Sequence, residues 1–441
     1  MWLLLALLAF AEGLEPRLSV RDQALQQQGL PAVFRLLPPD TGGHGMLALT
    51  LHRDTTLWTT SVLRLSHGRG PWLWTWEPML KTGDDGRYPR QWFHDAFRSD
   101  FRRALILWRP AKAFRLWAGR APVHLGESAR FPLLFSEEAV PMELVAWQAR
   151  WGPVAFTHLL SQWPDIQARR TTFPGDTTPE QRAHRFLSYH GLTLTIGSRG
   201  RVGFSEAFLY GGDMGFQLVY ANPFTLYYTN QFNHYPMADG NILWLFHGRW
   251  LLPGHTQIYG EFLVDDFQYA PDVYHEPNHL AGLIGLEGAR GSWAWHLEYA
   301  KLSAWVYNHF YAYDRFEIYG IPTGYPFGPD LETAWLRIQH RSPRLALALD
   351  LVWRVQGENR VTTPWPVPED GPADTSYRFP QDNFLRGTVY QTWEIGVPWS
   401  WQPTESLWIL GRAGWLLWKQ GNRSEQSPVG EIQIRWRLPL P

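Results

Sequence analysis

From Met46 onward the chain alternates apolar and polar positions with a period of two. Leu47, Leu49 and Leu51 alternate with Ala48, Thr50 and His52, and Trp72, Trp74 and Trp76 obey the same rule. Trp293, Trp295, Leu297 and Tyr299 oppose Ala294, His296 and Glu298, while Leu345, Leu347, Leu349 and Leu351 oppose Ala346, Ala348 and Asp350. The last run sets Ile432, Ile434, Trp436 and Leu438 against Glu431, Gln433, Arg435 and Arg437. Such a period belongs to strands, whose successive side chains take opposite faces. Roughly sixteen to eighteen segments of about ten residues follow the pattern, and their connectors are uneven. Leu252 to His255 and Gly288 to Gly291 are short turns, whereas Lys81 to Asp100, Trp163 to Arg185, Gly211 to Gly240 and Gly357 to Phe384 are long. The pattern predicts an all-β chain: a transmembrane antiparallel β-barrel of about 16–18 strands, apolar rows outward and polar rows toward the lumen. A secreted sandwich or propeller shares the alternation, but not the combination of strand length and loop asymmetry.

The first 43 residues read differently. Trp2 to Phe10 is a short apolar run, and Ala9-Phe10-Ala11 matches a small-x-small cleavage pattern, so residues 1–11 are expected to be a signal peptide. The run is far below the ~20 residues a membrane helix requires. Ser19 to Gly29 (SVRDQALQQQG) is the best helix, with Ser19 as cap, Asp22 at the capping-box position and Gly29 as its end. Residues 12–43 are thus expected to be a short helical and linker segment, and 44–441 the barrel.

Composition narrows the class. The 26 Trp, with Tyr and Phe, bring aromatics to 15%. Buried indoles each need a hydrogen-bond partner, so such a load fits a membrane interface or a sugar-stacking surface better than a soluble core. A net charge of -1 offers no basic excess for nucleic acid. The absence of Cys removes disulfides and thiolate sites.

Candidate chemistry concentrates between Leu209 and Gln268, where an aromatic, amide-rich loop leads into two strands joined by a Pro-Gly turn. The first strand, Ile242 to Leu252, is apolar but carries His247 and Arg249. On the second, Gln257, Tyr259, Glu261 and Asp265 share a face with Leu263, opposite Ile258, Gly260, Phe262 and Val264. Glu261 and Asp265 lie four residues apart, roughly 13 Å at 3.3 Å per residue. Paired glycosidase carboxylates need about 5 to 9.5 Å. Asp265 and Asp266 face opposite ways, so neither local pair suits glycoside hydrolysis. His275-Glu276-Pro277-Asn278-His279 spells H-E-x-x-H, but that motif works on a helix, and Pro277 forbids one. It is read as a loop. Ser136 before Glu137-Glu138 could cap a short helix toward Pro141 or a surface turn. No catalytic residue, metal or cofactor is expected. The loop aromatics and amides (Tyr210, Phe216, Tyr220, Asn222, Tyr227, Tyr228, Asn230, Asn233, Tyr235) suit either sugar stacking or an interfacial aromatic girdle.

Several of these residues carry a resemblance. Ala221-Asn222-Pro223-Phe224, Asp239-Gly240-Asn241-Ile242-Leu243, Tyr259-Gly260-Glu261-Phe262 and Asp265-Asp266-Phe267-Gln268 resemble the Wzi-type capsule assembly proteins. Gly119-Arg120, Leu125-Gly126-Glu127 and Phe135-Ser136 to Pro141 are similar to that family too. The resemblance covers about Gly119 to Gln268; beyond it the match is one of character. It implies a barrel of about eighteen strands, occluded by helices and loops, that acts as an outer-membrane lectin retaining or organising capsular polysaccharide.

The expectations are therefore a non-enzymatic, monomeric barrel of the bacterial outer membrane. Its partners would be capsular or extracellular polysaccharide, outer-membrane lipid and the barrel assembly machinery, with no nucleic acid. The candidate carbohydrate-binding residues are Tyr220, Asn222, Tyr228, Asn230, Asp239, Asn241, Glu261 and Asp265. The alternatives are a porin or transport channel and an exported carbohydrate-active enzyme.

Overall fold

A computed structural model of the chain describes residues 34–35, 44–53, 57–82, 98–233, 240–268, 275–367, 378–380 and 382–439. The expected signal peptide and the helix from Ser19 to Gly29 lie outside these residues.

Eighteen strands close into one antiparallel barrel. In chain order they are β1 His44–Arg53, β2 Leu57–Arg69, β3 Trp72–Thr82, β4 Arg98–Ala111, β5 Phe114–Ala121 and β6 Met142–Trp151. Next come β7 Val154–Ala168, β8 Gln181–Ile196, β9 Gly200–Gly212, β10 Gly240–Leu252, β11 Thr256–Asp266 and β12 His279–Arg290. The last are β13 Trp293–Leu302, β14 Leu331–Arg341, β15 Leu345–Gln356, β16 Tyr390–Thr404, β17 Leu407–Gln420 and β18 Arg423–Pro439. Each strand pairs with its sequence neighbour, and β18 returns to β1 through a ladder from His44↔Pro439 to Arg53↔Gly430. Closure leaves no unpaired strand edge, which lipid would not tolerate.

The period-two rows face as expected. Leu345, Leu347, Leu349 and Leu351 are exposed on the outer wall while Ala346, Ala348 and Asp350 are buried inside. Trp72, Trp74 and Trp76, then Trp293 and Leu297, then Ile432, Ile434 and Trp436 are likewise exposed. A continuous outer wall of Leu, Ile and Trp is stable only against hydrocarbon, so this surface faces a bilayer.

The connectors sort by side. On one side, 70–71, 112–113, 152–153, 197–199, 253–255, 291–292, 342–344 and 405–406 are all tight turns. Gly254 in one of them has φ +78, a left-handed backbone that residues with a Cβ resist. On the other side run 83–97, 122–141, 169–180, 213–239, 267–278, 303–330 and 357–389. Only 54–56 and 421–422 are short there. Periplasmic turns are short and extracellular loops long in bacterial barrels, which orients this one. The expected long connector from Trp163 to Arg185 shrinks to 169–180, because β7 and β8 continue through its ends and pair there. The connector 267–278 contains the stretch 275–278 read as a loop, whereas 122–141 and 303–330 had no counterpart among the expected long connectors.

Two of them fold inward and fill the lumen. Phe131, Leu133, Leu134 and Phe135 from 122–141 pack with Val306, Tyr307, Phe316 and Tyr325 from 303–330 in a single buried cluster that includes Leu209, Leu245 and Leu263 of the wall. Phe131 meets Tyr325 edge-on at 5.5 Å. The other half of the lumen is polar: Glu77 pairs with Arg103 at 2.7 Å, Arg337 with Asp350 at 2.6 Å, and Arg412 with Glu394. A two-residue strand, Phe34–Arg35, pairs with His124–Leu125 and so ties the N-terminal segment to the inward loop.

Candidate functional site

The inward loop is held by carboxylates from the wall. Glu261 projects from β11 into the lumen, and its Oε1 accepts the backbone N–H of Glu127 (2.5 Å) and of Ser128 (2.7 Å). Its Oε2 accepts the N–H of Leu133 at 2.7 Å. One buried side chain thus satisfies three amides between Glu127 and Leu133, a stretch of the loop that belongs to no strand. Gly126 is required at this turn. Its φ is +146, and a Cβ there would stand 2.4 Å from Glu261 Oε1 and 2.5 Å from Pro132 Cβ. One strand pair along, Glu298 of β13 accepts Ser128 Oγ–H at 2.7 Å and Tyr259 O–H at 2.8 Å. Four residues past Glu261, Asp265 accepts the N–H of Tyr307 and so pins the second inward loop.

Glu127, at the loop tip, answers with its own charge. Arg201 of β9 donates from Nε at 2.7 Å and also from Nη2. Arg249 of β10 lies 3.0 Å away and donates to the Glu127 carbonyl at 2.7 Å. His247 Nδ1 is 3.1 Å from its carboxylate. Arg201 and Arg249 sit at the turn end of their strands, so the loop reaches almost through the barrel. Burial pushes the Glu127 carboxyl up, but the two guanidiniums and His247 outweigh it and hold the group well below the usual carboxylate range.

The aromatic loop after β9 does something else. It folds back over the outer wall instead of across the mouth. Phe224 stacks on Phe156 of β7 at 5.8 Å, Tyr227 meets His190 of β8 at 4.5 Å, Tyr220 meets Phe208 of β9 at 4.8 Å, and Tyr228 meets Trp244 of β10 at 5.2 Å. All four partners lie on the outward face. Glu206, also outward, accepts the N–H of Tyr227 (2.8 Å) and Tyr228 (3.0 Å) and the indole N–H of Trp244 (3.0 Å). These bonds start the short helix α1, Tyr227–Asn233. The flap's own outer side is apolar, with Leu218 81% and Phe224 77% exposed.

The candidate glycan residues therefore divide. Tyr220, Asn222, Tyr228 and Asn230 belong to the outer flap: Tyr220 is only 2% exposed, Asn222 Oδ1 caps the Phe224 N–H at 3.1 Å, and Asn230 is buried. Asn241, Glu261 and Asp265 are buried on the lumen side. Asp239 lies outside the described residues. The barrel wall separates the two groups, so they do not form one binding surface. Strand parity sends the loop residues and the acids to opposite faces. Ser136 caps a turn, not a helix, by accepting the Glu138 N–H at 3.3 Å, and that turn is buried, not at the surface. At the extracellular mouth, a hairpin of Glu317–Ile318 and Ile321–Pro322 presents Tyr319, 47% exposed with φ +57. Its hydroxyl, pushed up by burial, lies in the field of Arg120 and Asp100, which pair at 3.0 Å. Glu143 joins Arg120 at 2.9 Å.

No family profile matches the sequence, and no curated protein matches it. Solved structures do match in fold. The chain is similar to Wzi of Escherichia coli, described as an outer membrane protein involved in group 1 capsule assembly and a carbohydrate-binding β-barrel. That match covers 97% of this chain and 90% of that one at 17% identity, with a TM-score of 0.59. It is also similar to OccK2 (OpdF) of Pseudomonas aeruginosa, solved with glucuronate: 92% and 100% coverage, 10% identity, TM-score 0.51. At these identities the likeness establishes the fold, an outer-membrane β-barrel.

Proposed function

We propose that the chain is a non-catalytic barrel of the bacterial outer membrane that binds surface polysaccharide and helps assemble or retain capsule or exopolysaccharide. The observation that carries this reading is the filled lumen. Two inward loops, fixed by Glu261, Asp265 and the Glu127 ion cluster, occupy the space a diffusing solute would need. A barrel so plugged is suited to present a surface, and the mouth offers an exposed ring beside charged side chains. Aromatic rings stack on the apolar faces of sugars, and charged side chains bind the hydroxyls. The similarity to a carbohydrate-binding barrel supports the same reading.

The decisive experiment deletes the gene and measures polysaccharide in the cell-bound and shed fractions. A shift toward the shed fraction, restored by the wild-type chain and less well by Tyr319→Ala, is expected. Unchanged retention would overturn the reading. A porin is the second reading, favoured by the similarity to OccK2. It requires a large, steady conductance in planar bilayers.

A further inference from the structure

At the extracellular end of β11 and β12 the ladder closes on the pair Asp266↔His279, after an irregularity between Val264 and Asp266. Glu276, three residues before His279, folds back onto the same point. His275, with φ +56, makes the turn that allows this. One ligand atom from each of Asp266, Glu276 and His279 lies within 4.8 Å of the others. The H-E-x-x-H spelling is thus misleading about how its residues are used. Without a helix His275 and His279 do not converge, but Glu276 and His279 do, and Asp266 completes the set from the neighbouring strand.

The imidazole is the telling member. His279 is 1% exposed, yet its Nε2 has no hydrogen-bond partner and sits 3.5 Å from Glu276 Oε1, too long for a good bond. Buried polar nitrogens are seldom left so. The ring is packed edge-on against Trp365 at 5.8 Å and beside Phe379 at 6.5 Å, so its aim toward the two carboxylates is fixed from behind. Asn278 sets the spacing of the loop's two feet: its Oδ1 accepts the Gln268 N–H at 2.6 Å and its carbonyl accepts Asn383 Nδ2–H at 2.7 Å.

We propose that Asp266, Glu276 and His279 bind a divalent transition-metal ion of the zinc class, which clamps the 267–278 connector to the barrel rim. One imidazole and two carboxylates suit zinc, with bonds of about 2.0–2.2 Å. Calcium instead takes about six to eight oxygen ligands, and magnesium avoids nitrogen. Small rotations of the two acidic side chains bring the three atoms from their present separation to that distance. The remaining position is open to water, as the half-buried acids permit. A bound ion supplies the partner that Nε2 lacks, and it ties Glu276 of the 267–278 connector to β11 and β12 at the point where Trp365 of 357–389 packs on His279.

The test uses the full chain in detergent, stripped with EDTA and titrated calorimetrically with zinc chloride. One zinc per chain is expected beyond any background from the other histidines, with a raised midpoint of heat-modifiable migration. Glu276→Gln and His279→Ala should each weaken that event at least tenfold and abolish the midpoint rise. Glu276→Gln is isosteric and leaves the Trp365–Phe379 packing of His279 untouched, so its loss of zinc reports ligation and not misfolding. Absence of zinc uptake, uptake unchanged in Glu276→Gln, or displacement of zinc by an equal concentration of calcium chloride would overturn the proposal.

Discussion

Glu127 and Glu261 carry the inward loop in different ways, and their substitutions should fail differently. Glu127 is fully buried and compensates Arg201 and Arg249. Glu127→Gln leaves two buried guanidiniums facing a neutral amide, a loss of about 3–5 kcal/mol for a broken buried pair. The measurement is the midpoint of thermal unfolding in detergent. The same residue sets a pH dependence. Its folded pKa lies well below its ordinary value of 4.5, so its contribution is complete above that ordinary value and is lost as pH falls through the folded one. Wild type should lose stability on acidification below about pH 4.5 more steeply than Glu127→Gln, and parallel curves would contradict the ion cluster. Glu261→Gln keeps shape but turns an N–H₂ toward amides that need acceptors. About 1–3 kcal/mol is expected per amide left unsatisfied. Gly126→Ala attacks the same contact from the loop side, where the added Cβ and the left-handed φ both oppose it.

At the scale of elements, the strands and most of their connectors were legible, and the paths of the loops were not. Period two is local, and each outward row of Leu, Ile or Trp states its own face. Loop trajectory is set by distant partners instead. Nothing near Tyr227 announces that Glu206, twenty-one residues earlier, will accept its N–H from the outer wall. Glu261 was singled out for its acid, but its role depends on Glu127 and Leu133, more than 120 residues away. The signal for the cluster was the placement of His247 and Arg249 within an otherwise apolar strand, where charge needs a partner. The outer flap gives a test of its own. Glu206→Gln weakens three hydrogen bonds at once, and α1 should detach from the wall. Chymotrypsin should then cut near Phe216, Phe224 or Tyr228 in detergent while the barrel keeps its heat-modifiable migration. An uncut variant would mean that the aromatic contacts hold the flap alone. Leu218 and Phe224, exposed on the flap's outer side, continue the apolar outer wall.

For the whole molecule, the question is whether eighteen strands enclose a passage. A barrel of this size is wide enough for an aqueous channel when its interior is empty. Here the interior holds a dry cluster on one side, built from Phe131, Phe135, Tyr307, Phe316 and Tyr325, and charge pairs on the other. Among the described residues the plug is two connectors whose ends are fixed in the wall, so they cannot leave without breaking the Glu261, Asp265 and Glu127 contacts together. Wild type should therefore show little steady conductance in a planar bilayer. Replacing 126–134 by a short Gly-Ser linker removes Glu127, Phe131 and Leu133 while leaving every barrel strand intact. That variant should still migrate as a folded barrel and should conduct in large, steady steps. Glu261→Gln, which loosens the same loop without removing it, should flicker between the two behaviours. If wild type conducts as freely as the linker variant, the plug does not close the barrel and the porin reading prevails.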